Sequence, residues 1–169
     1  VGAVGLAALA AARGRYQTFA VDLQASRLEA AVRLGATAIN PAESEDLVAQ
    51  IKELTNGHGA NFAIDTTGKT AVVKQMVQAL AIKGTAVILA LGDATAELDA
   101  VDVMMNGKQI VGAIMGDSDP HQTIPELLRM AAAGEFMVDD LITAYPVAQI
   151  NEAIADAESG KVIKPVLVW

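Results

Sequence analysis

Short apolar stretches alternate with amphipathic ones through the middle of the chain, and this order limits the possible folds more than any other feature of its 169 residues. TFAVD (18–22), ATAIN (36–40) and NFAIDTTG (61–68) read as strands, as do the strongly apolar TAVILALG (85–92) and QIVGAIMG (109–116). Between them, residues 26–34, 45–54 and 70–81 carry apolar side chains at helical spacing, such as Leu47, Val48, Ile51 and Leu54. Strands and helices alternating over short connections imply right-handed crossovers and a parallel sheet. Composition agrees: 53% of residues are hydrophobic but only 4% aromatic, as expected of aliphatic strands covered on both faces.

An alanine-rich helix at residues 4–13 begins the pattern, and Lys83 with Gly84 reads as a turn. Asp119 and Pro120 open a helix reaching residue 133, with Asp119 as its cap and the proline where it costs nothing. A last helix at 148–158 is closed by Gly160 before a terminal strand, VIKPVLVW. The chain after Gly134 departs from the alternation and is expected to form another structural unit.

A formal net charge of -8 argues against nucleic acid and against an anionic membrane surface, since both need a basic face. With no cysteine, neither a disulfide nor a thiolate metal site can form within these residues. His58 and His121 are isolated and read as surface residues rather than metal ligands. No apolar run reaches the ~20 residues of a membrane span, and no secretory signal pattern occurs. A soluble, cytoplasmic protein is expected.

VGAVGLAALAAARG (1–14) looks like the back half of a dinucleotide-binding turn running into its helix. Gly2 and Gly5 would let backbone approach a pyrophosphate, whose charge the helix N-terminus stabilises. Asp22 ends a strand 20 positions after Gly2, where an acid accepts hydrogen bonds from an adenosine ribose and repels a 2′-phosphate. NAD is therefore expected over NADP. The alternative is a chance glycine pair with a strand-ending Asp. Arg27 could lean over the ribose or adenine, although spacing alone suits a solvated first-turn arginine. Thr66, Thr67 and Gly68, and residues 89–92, end strands where an open parallel sheet binds ligands, or simply terminate them with small residues. Glu97, Asp99 and Asp102 lack a partnered His or Cys, Asp117 and Asp119 suit helix caps, and Ser118 has no evident base. No catalytic residue and no metal ligand is assigned.

With these residues in place, the chain resembles the coenzyme-binding region and C-terminal tail of zinc-dependent medium-chain alcohol dehydrogenases, and within them the aryl-alcohol (benzyl alcohol) dehydrogenases. The stretches that carry the resemblance are GAVGLAA, AVDLQASRLEAAVRLGATAIN, FAIDTTG, NGKQIVGAIMGDSDP and FMVDDLITAYPVAQINEAIADAESGKVIKPVL. The resemblance implies a pyrophosphate turn at Gly2, Ala3, Val4 and Gly5, a ribose acid at Asp22 and its basic companion at Arg27. It places Thr66 and Thr67 beside the riboses, and Lys69 on the adenine side. Leu89 and Leu91 become the nicotinamide wall, Ala113 and Met115 the carboxamide site, and Lys164 a basic tail position near the pyrophosphate.

The family holds zinc through cysteine and histidine of an N-terminal domain, and the resemblance implies that this domain lies outside the chain. The implied fold is a Rossmann-like, doubly wound α/β sheet lacking its first strand, which leaves a gap between TFAVD and NFAID. Residues 1–134 would form the NAD-binding domain, and residues 135–169 a tail that packs on the absent catalytic domain. The parent would oxidise a primary alcohol, aromatic by resemblance, to the aldehyde, using zinc to lower the alcohol's pKa and NAD to take the hydride. The chain alone is expected to be inactive. The alternatives are a zinc-free quinone or enoyl reductase, which Asp22 disfavours, and a non-catalytic nucleotide-binding module. A homo-oligomer, dimer or tetramer, is expected through an edge near VMMNGKQIVGAIMG.

Overall fold

The computed structural model describes residues 1–93, 95–136 and 139–169. These form two compact units: Val1–Ala42 with Asp119–Trp169, and Glu43–Ser118. In the first, helix α1 (Ala3–Ala12) leads to strand β1 (Phe19–Val21), helix α2 (Ala25–Arg33) and strand β2 (Thr37–Ile39). β1 and β2 pair in parallel, with Ala20 opposite Ala38. The helices bury small and branched side chains against this ribbon; Leu6, Leu9, Ala20, Leu28 and Ala31 form the centre of one core. Leu6 and Ala31 are wholly excluded from solvent, and such burial contributes roughly 1.5–3 kcal/mol for a leucine.

The second unit begins with helix α3 (Leu47–Leu54), capped by the Asp46 carboxylate, which accepts from Ala49 N. Strand β3 (Ala60–Asp65), helix α4 (Thr70–Gln78), strand β4 (Leu80–Ile88), helix α5 (Ala100–Asn106) and strand β5 (Gln109–Gly112) follow. The three strands form a parallel sheet in the order β3-β4-β5. Val73, Met76 and Val77 of α4 pack on Ala86, with Ala63 and Ile88 beside them, so α4 covers one face of this sheet. Phe62 and Ile64 alternate with those residues along β3 and are exposed.

Back in the first unit, helix α6 (Pro120–Ala132) is capped by Asp119, which accepts from His121 N. Strand β6 (Ile142–Pro146), helix α7 (Ile150–Glu158) and strand β7 (Lys164–Val168) complete it, and β6 and β7 pair in parallel. Leu141 joins the core of α1 and α2. Tyr145 donates to Asp156 across 2.8 Å, and Lys161 reaches the same carboxylate at 2.7 Å, which ties β6, α7 and the turn before β7 together.

The alternation read from the sequence is present, with boundaries moved. Among the described residues β1 pairs only with β2 and β3 only with β4, in separate sheets. β4 starts five residues before the expected 85 and stops at Ile88, four short of 92. The turn expected at Lys83 and Gly84 is a bulge inside this strand. Ala60 pairs with Leu80 but Phe62 pairs with Thr85, and Lys83 takes φ +61° to absorb the surplus residues. QIVGAIMG is strand only to Gly112. Neither α5 nor β6 has a counterpart in the sequence reading, and Met137 and Val138 of FMVDD lie outside the described residues.

Candidate functional site

Two groups of candidate residues stand at strand ends, one in each unit. In the first unit Gly2 precedes α1 and its carbonyl accepts from Leu6 N at 2.9 Å. No side chain caps α1 and its first turn holds no acid, which leaves its opening N–H groups and positive dipole end available to an anion. Asp22 immediately follows β1. Its Oδ2 accepts from Val1 N and its Oδ1 from Gln24 N at 2.8 Å, so the glycine turn and the acid 20 residues later lie side by side.

Arg27, in the first turn of α2, brings Nη1 to 3.6 Å from Asp22 Oδ2. Burial pushes the Asp22 carboxyl up, while the hydrogen bond from Gln24 N and the Arg27 charge pull it down. Arg27 Nε is buried with no acceptor, an orphan donor beside the acid. The tail comes to the same place: Ser26 Oγ donates to Gly160 O at 3.0 Å, and Gly160 sits against the Gln24 side chain. Lys164 is the exposed first residue of β7.

In the second unit the carboxyl ends of β3, β4 and β5 stand together. Leu89 N donates to Asp65 O and Ala113 N to Ile88 O, both at 3.1 Å, extending the ladders to the positions where the sequence placed a ligand. Leu91 and Met115 are almost fully exposed there. Asp65, 1% exposed, turns its carboxylate under residues 66–69. Its Oδ1 accepts from Thr67 N at 2.9 Å and Thr67 Oγ1 at 2.7 Å, and its Oδ2 from Gly68 N at 3.0 Å. Thr67 Oγ1 also accepts from Lys69 N at 3.1 Å, so this hydroxyl is engaged inside the turn.

Asp93 joins the loops after β3 and β4. Its N–H donates to Gly68 O at 2.7 Å, and its carboxylate accepts from Thr70 N at 2.9 Å. Hydrogen bonding from Thr70 holds this carboxyl below its usual range. Thr70 Oγ1 adds a bond to Thr95 O. Asp65 and Asp93 are not among the residues the sequence proposes for the site. The only signal in the sequence is the spacing of IDTTG, an Asp followed two residues later by a Thr, which is the pattern of a side-chain-capped turn.

Asp99 and Asp102 are structural. Asp99 caps α5, accepting from Val101 N and Asp102 N. Asp102 accepts from Lys108 Nζ at 2.7 Å, and that buried ammonium also donates to Val77 O. Zinc does not fit this chain's residues: it has no cysteine, and no group of three His, Asp or Glu among the described residues could hold a metal ion. A nucleotide fits better, because the first unit offers an uncapped helix N-terminus, a carboxylate and an orphan guanidinium nitrogen.

Comparison with known proteins agrees with this geometry. The family model described as zinc-binding dehydrogenase matches residues 3–133. The geraniol dehydrogenase of Castellaniella defragrans is 38% identical over 173 residues, covering 99% of this chain and 46% of its own length. Alcohol dehydrogenase B of Mycobacterium tuberculosis is 36% identical, with 99% and 46% covered. The crystal structure of benzyl alcohol dehydrogenase from Acinetobacter calcoaceticus superposes with a TM-score of 0.92 at 41% identity, over 98% of this chain and 47% of that one. The chain thus spans about half the length of the relatives it matches. With a parallel α/β fold and a family match over most of its length, the chain belongs to the zinc-binding dehydrogenase family.

Proposed function

We propose that this chain is the coenzyme-binding part of an NAD- and zinc-dependent alcohol dehydrogenase that oxidises a primary, aromatic alcohol to its aldehyde. The observation that carries the proposal is the pairing of Asp22 with the glycine turn at Gly2, beside the orphan nitrogen of Arg27. Asp22 accepts from the adenosine ribose hydroxyls, the uncapped start of α1 at Gly2, Ala3, Val4 and Gly5 holds the pyrophosphate, and Arg27 and Lys164 add positive charge. Thr66, Thr67 and Lys69 border the riboses, Leu89 and Leu91 wall the nicotinamide, and the main chain at Ala113 and Met115 meets the carboxamide. Bound NAD supplies the hydride acceptor.

Likeness to proteins named geraniol and benzyl alcohol dehydrogenases supports a primary alcohol, the second name an aromatic one. Residues 1–134 serve as the nucleotide domain and 135–169 as a tail packing on a catalytic domain that carries the zinc. Strand β5, paired on one side only among the described residues, offers an edge to a second copy. No described helix is long and apolar enough to cross a membrane, and a cytoplasmic location accords with the family reading.

Titration of the chain with NADH, followed by nucleotide fluorescence, tests the proposal. Saturable binding in the micromolar range is expected, with NADPH weaker; equal affinity for both removes the role given to Asp22. No alcohol oxidation is expected from this chain with added zinc, and turnover would refute that expectation.

A further inference from the structure

We infer that Asp65 is a positioning residue for nucleotide binding, fixing from inside the turn that carries Thr66, Thr67 and Lys69. The inference rests on the nucleotide reading above and adds a residue that the resemblance does not assign. Asp65 ends β3 and is 1% exposed, so it is hidden from any ligand and acts through its neighbours. A buried carboxylate is costly unless hydrogen-bonded, and this one takes all its bonds from the turn: Thr67 N, Thr67 Oγ1 and Gly68 N. Lys69 N is tied to the same centre through Thr67 Oγ1. Two successive N–H groups thus point inward to the Asp65 carboxylate, and the third, Lys69 N, points to the Thr67 hydroxyl that this carboxylate holds. Residues 67–69 keep none of these donors for a phosphate, which suits the turn to accepting hydrogen bonds from sugar hydroxyls.

The constraint extends one strand further. Gly68 O accepts from Asp93 N at 2.7 Å, and Gly68 and Gly92 are in backbone contact. Holding Gly68 therefore also holds residues 89–92, which include both leucines of the nicotinamide wall. One buried carboxylate sets two of the strand-end loops of this unit.

Asp65→Asn tests this in the full chain, because it keeps the shape but turns one acceptor into a donor facing N–H or O–H groups. NADH affinity and amide hydrogen exchange are measured together. We expect binding weakened by about tenfold or more, with faster exchange at residues 67–69 and 93 and unchanged exchange in the α4 core. A merely structural residue would speed exchange in that core as well. NADH binding within twofold of the unsubstituted chain overturns the inference, as does unchanged exchange in the turn. Should Asp65→Asn not fold, Thr67→Val removes only the hydroxyl links, and roughly threefold weaker binding is expected; unchanged binding overturns the inference. If the unsubstituted chain binds no NADH, the nucleotide reading fails and this inference with it. If it binds and Asp65→Asn binds equally well, this inference alone fails.

Discussion

Gly68 and Gly92 meet backbone to backbone: a Cβ added to Gly68 would lie 2.7 Å from Gly92 Cα, and one added to Gly92 would collide with Gly68 O. The loops after β3 and β4 are therefore packed with no side chain between them, while Asp93 N bonds to Gly68 O. Any β-carbon at this contact must push rigid backbone, because no flexible side-chain end is there to yield.

Gly92→Ala is accordingly expected to destabilise the chain by about 3 kcal/mol, the upper range for overpacking. Urea unfolding with an unchanged m-value would measure it. A loss below half a kcal/mol would mean that the two loops part readily.

Asp22→Gly should narrow the preference for NADH over NADPH by about tenfold, since it removes both the ribose acceptors and the repulsion of a 2′-phosphate. Calorimetric titration with each nucleotide reads the ratio directly. An unchanged ratio would place the selectivity elsewhere.

Lys108 is buried between Asp102 and Val77 O. Lys108→Met leaves Asp102 without its cation and should cost about 2 kcal/mol, less than a fully buried pair because the Asp102 side chain is 27% exposed. The Lys108 hydrogen bond, opposed by burial and reinforced by the Lys108 charge, holds the Asp102 carboxyl below its ordinary value. A group depressed in the folded state adds stability that is complete above the unfolded value of about 4 and is lost as pH falls through the folded one. The unsubstituted chain should thus lose stability below about pH 4 more steeply than Lys108→Met. Parallel acid limbs in denaturation curves would contradict the pairing.

At the tail, Gly160 has φ +77°, and a Cβ there would lie 2.9 Å from Gln24 Cδ. Gly160→Ala is expected to cost about 1 kcal/mol, mostly from the backbone because the Gln24 side chain can swing aside. Adding Gln24→Ala should recover only a small part. Thermal unfolding of the single and double variants separates the two contributions.

Much of the fold was legible because it is written in local periodicity. The helices at 25–33, 47–54 and 120–132 have strong spacing or caps, and these, like the alanine-rich helix at 3–12, lie within a few residues of their expected places. α5 was not legible: it is seven residues long, and Val101, Met104 and Met105 are exposed rather than buried along one stripe. Lys83 and Gly84 are a turn signal in sequence, and only pairing with β3 absorbs them as a bulge inside β4.

Sequence alone determined the parallel α/β class and the meeting of Gly2 with Asp22, since both follow from spacing along the chain and the geometry of a βαβ unit. It could not assign the inner workings of the second unit's strand ends. Thr67 reads equally as a ribose contact or as a turn residue until Asp65 is found beneath it, with the Thr67 hydroxyl engaged on both sides. Residues 68 and 92 read as two separate loop glycines until three-dimensional packing presses them together. Such contacts depend on distance in space and not on distance in sequence, so only folding could decide them.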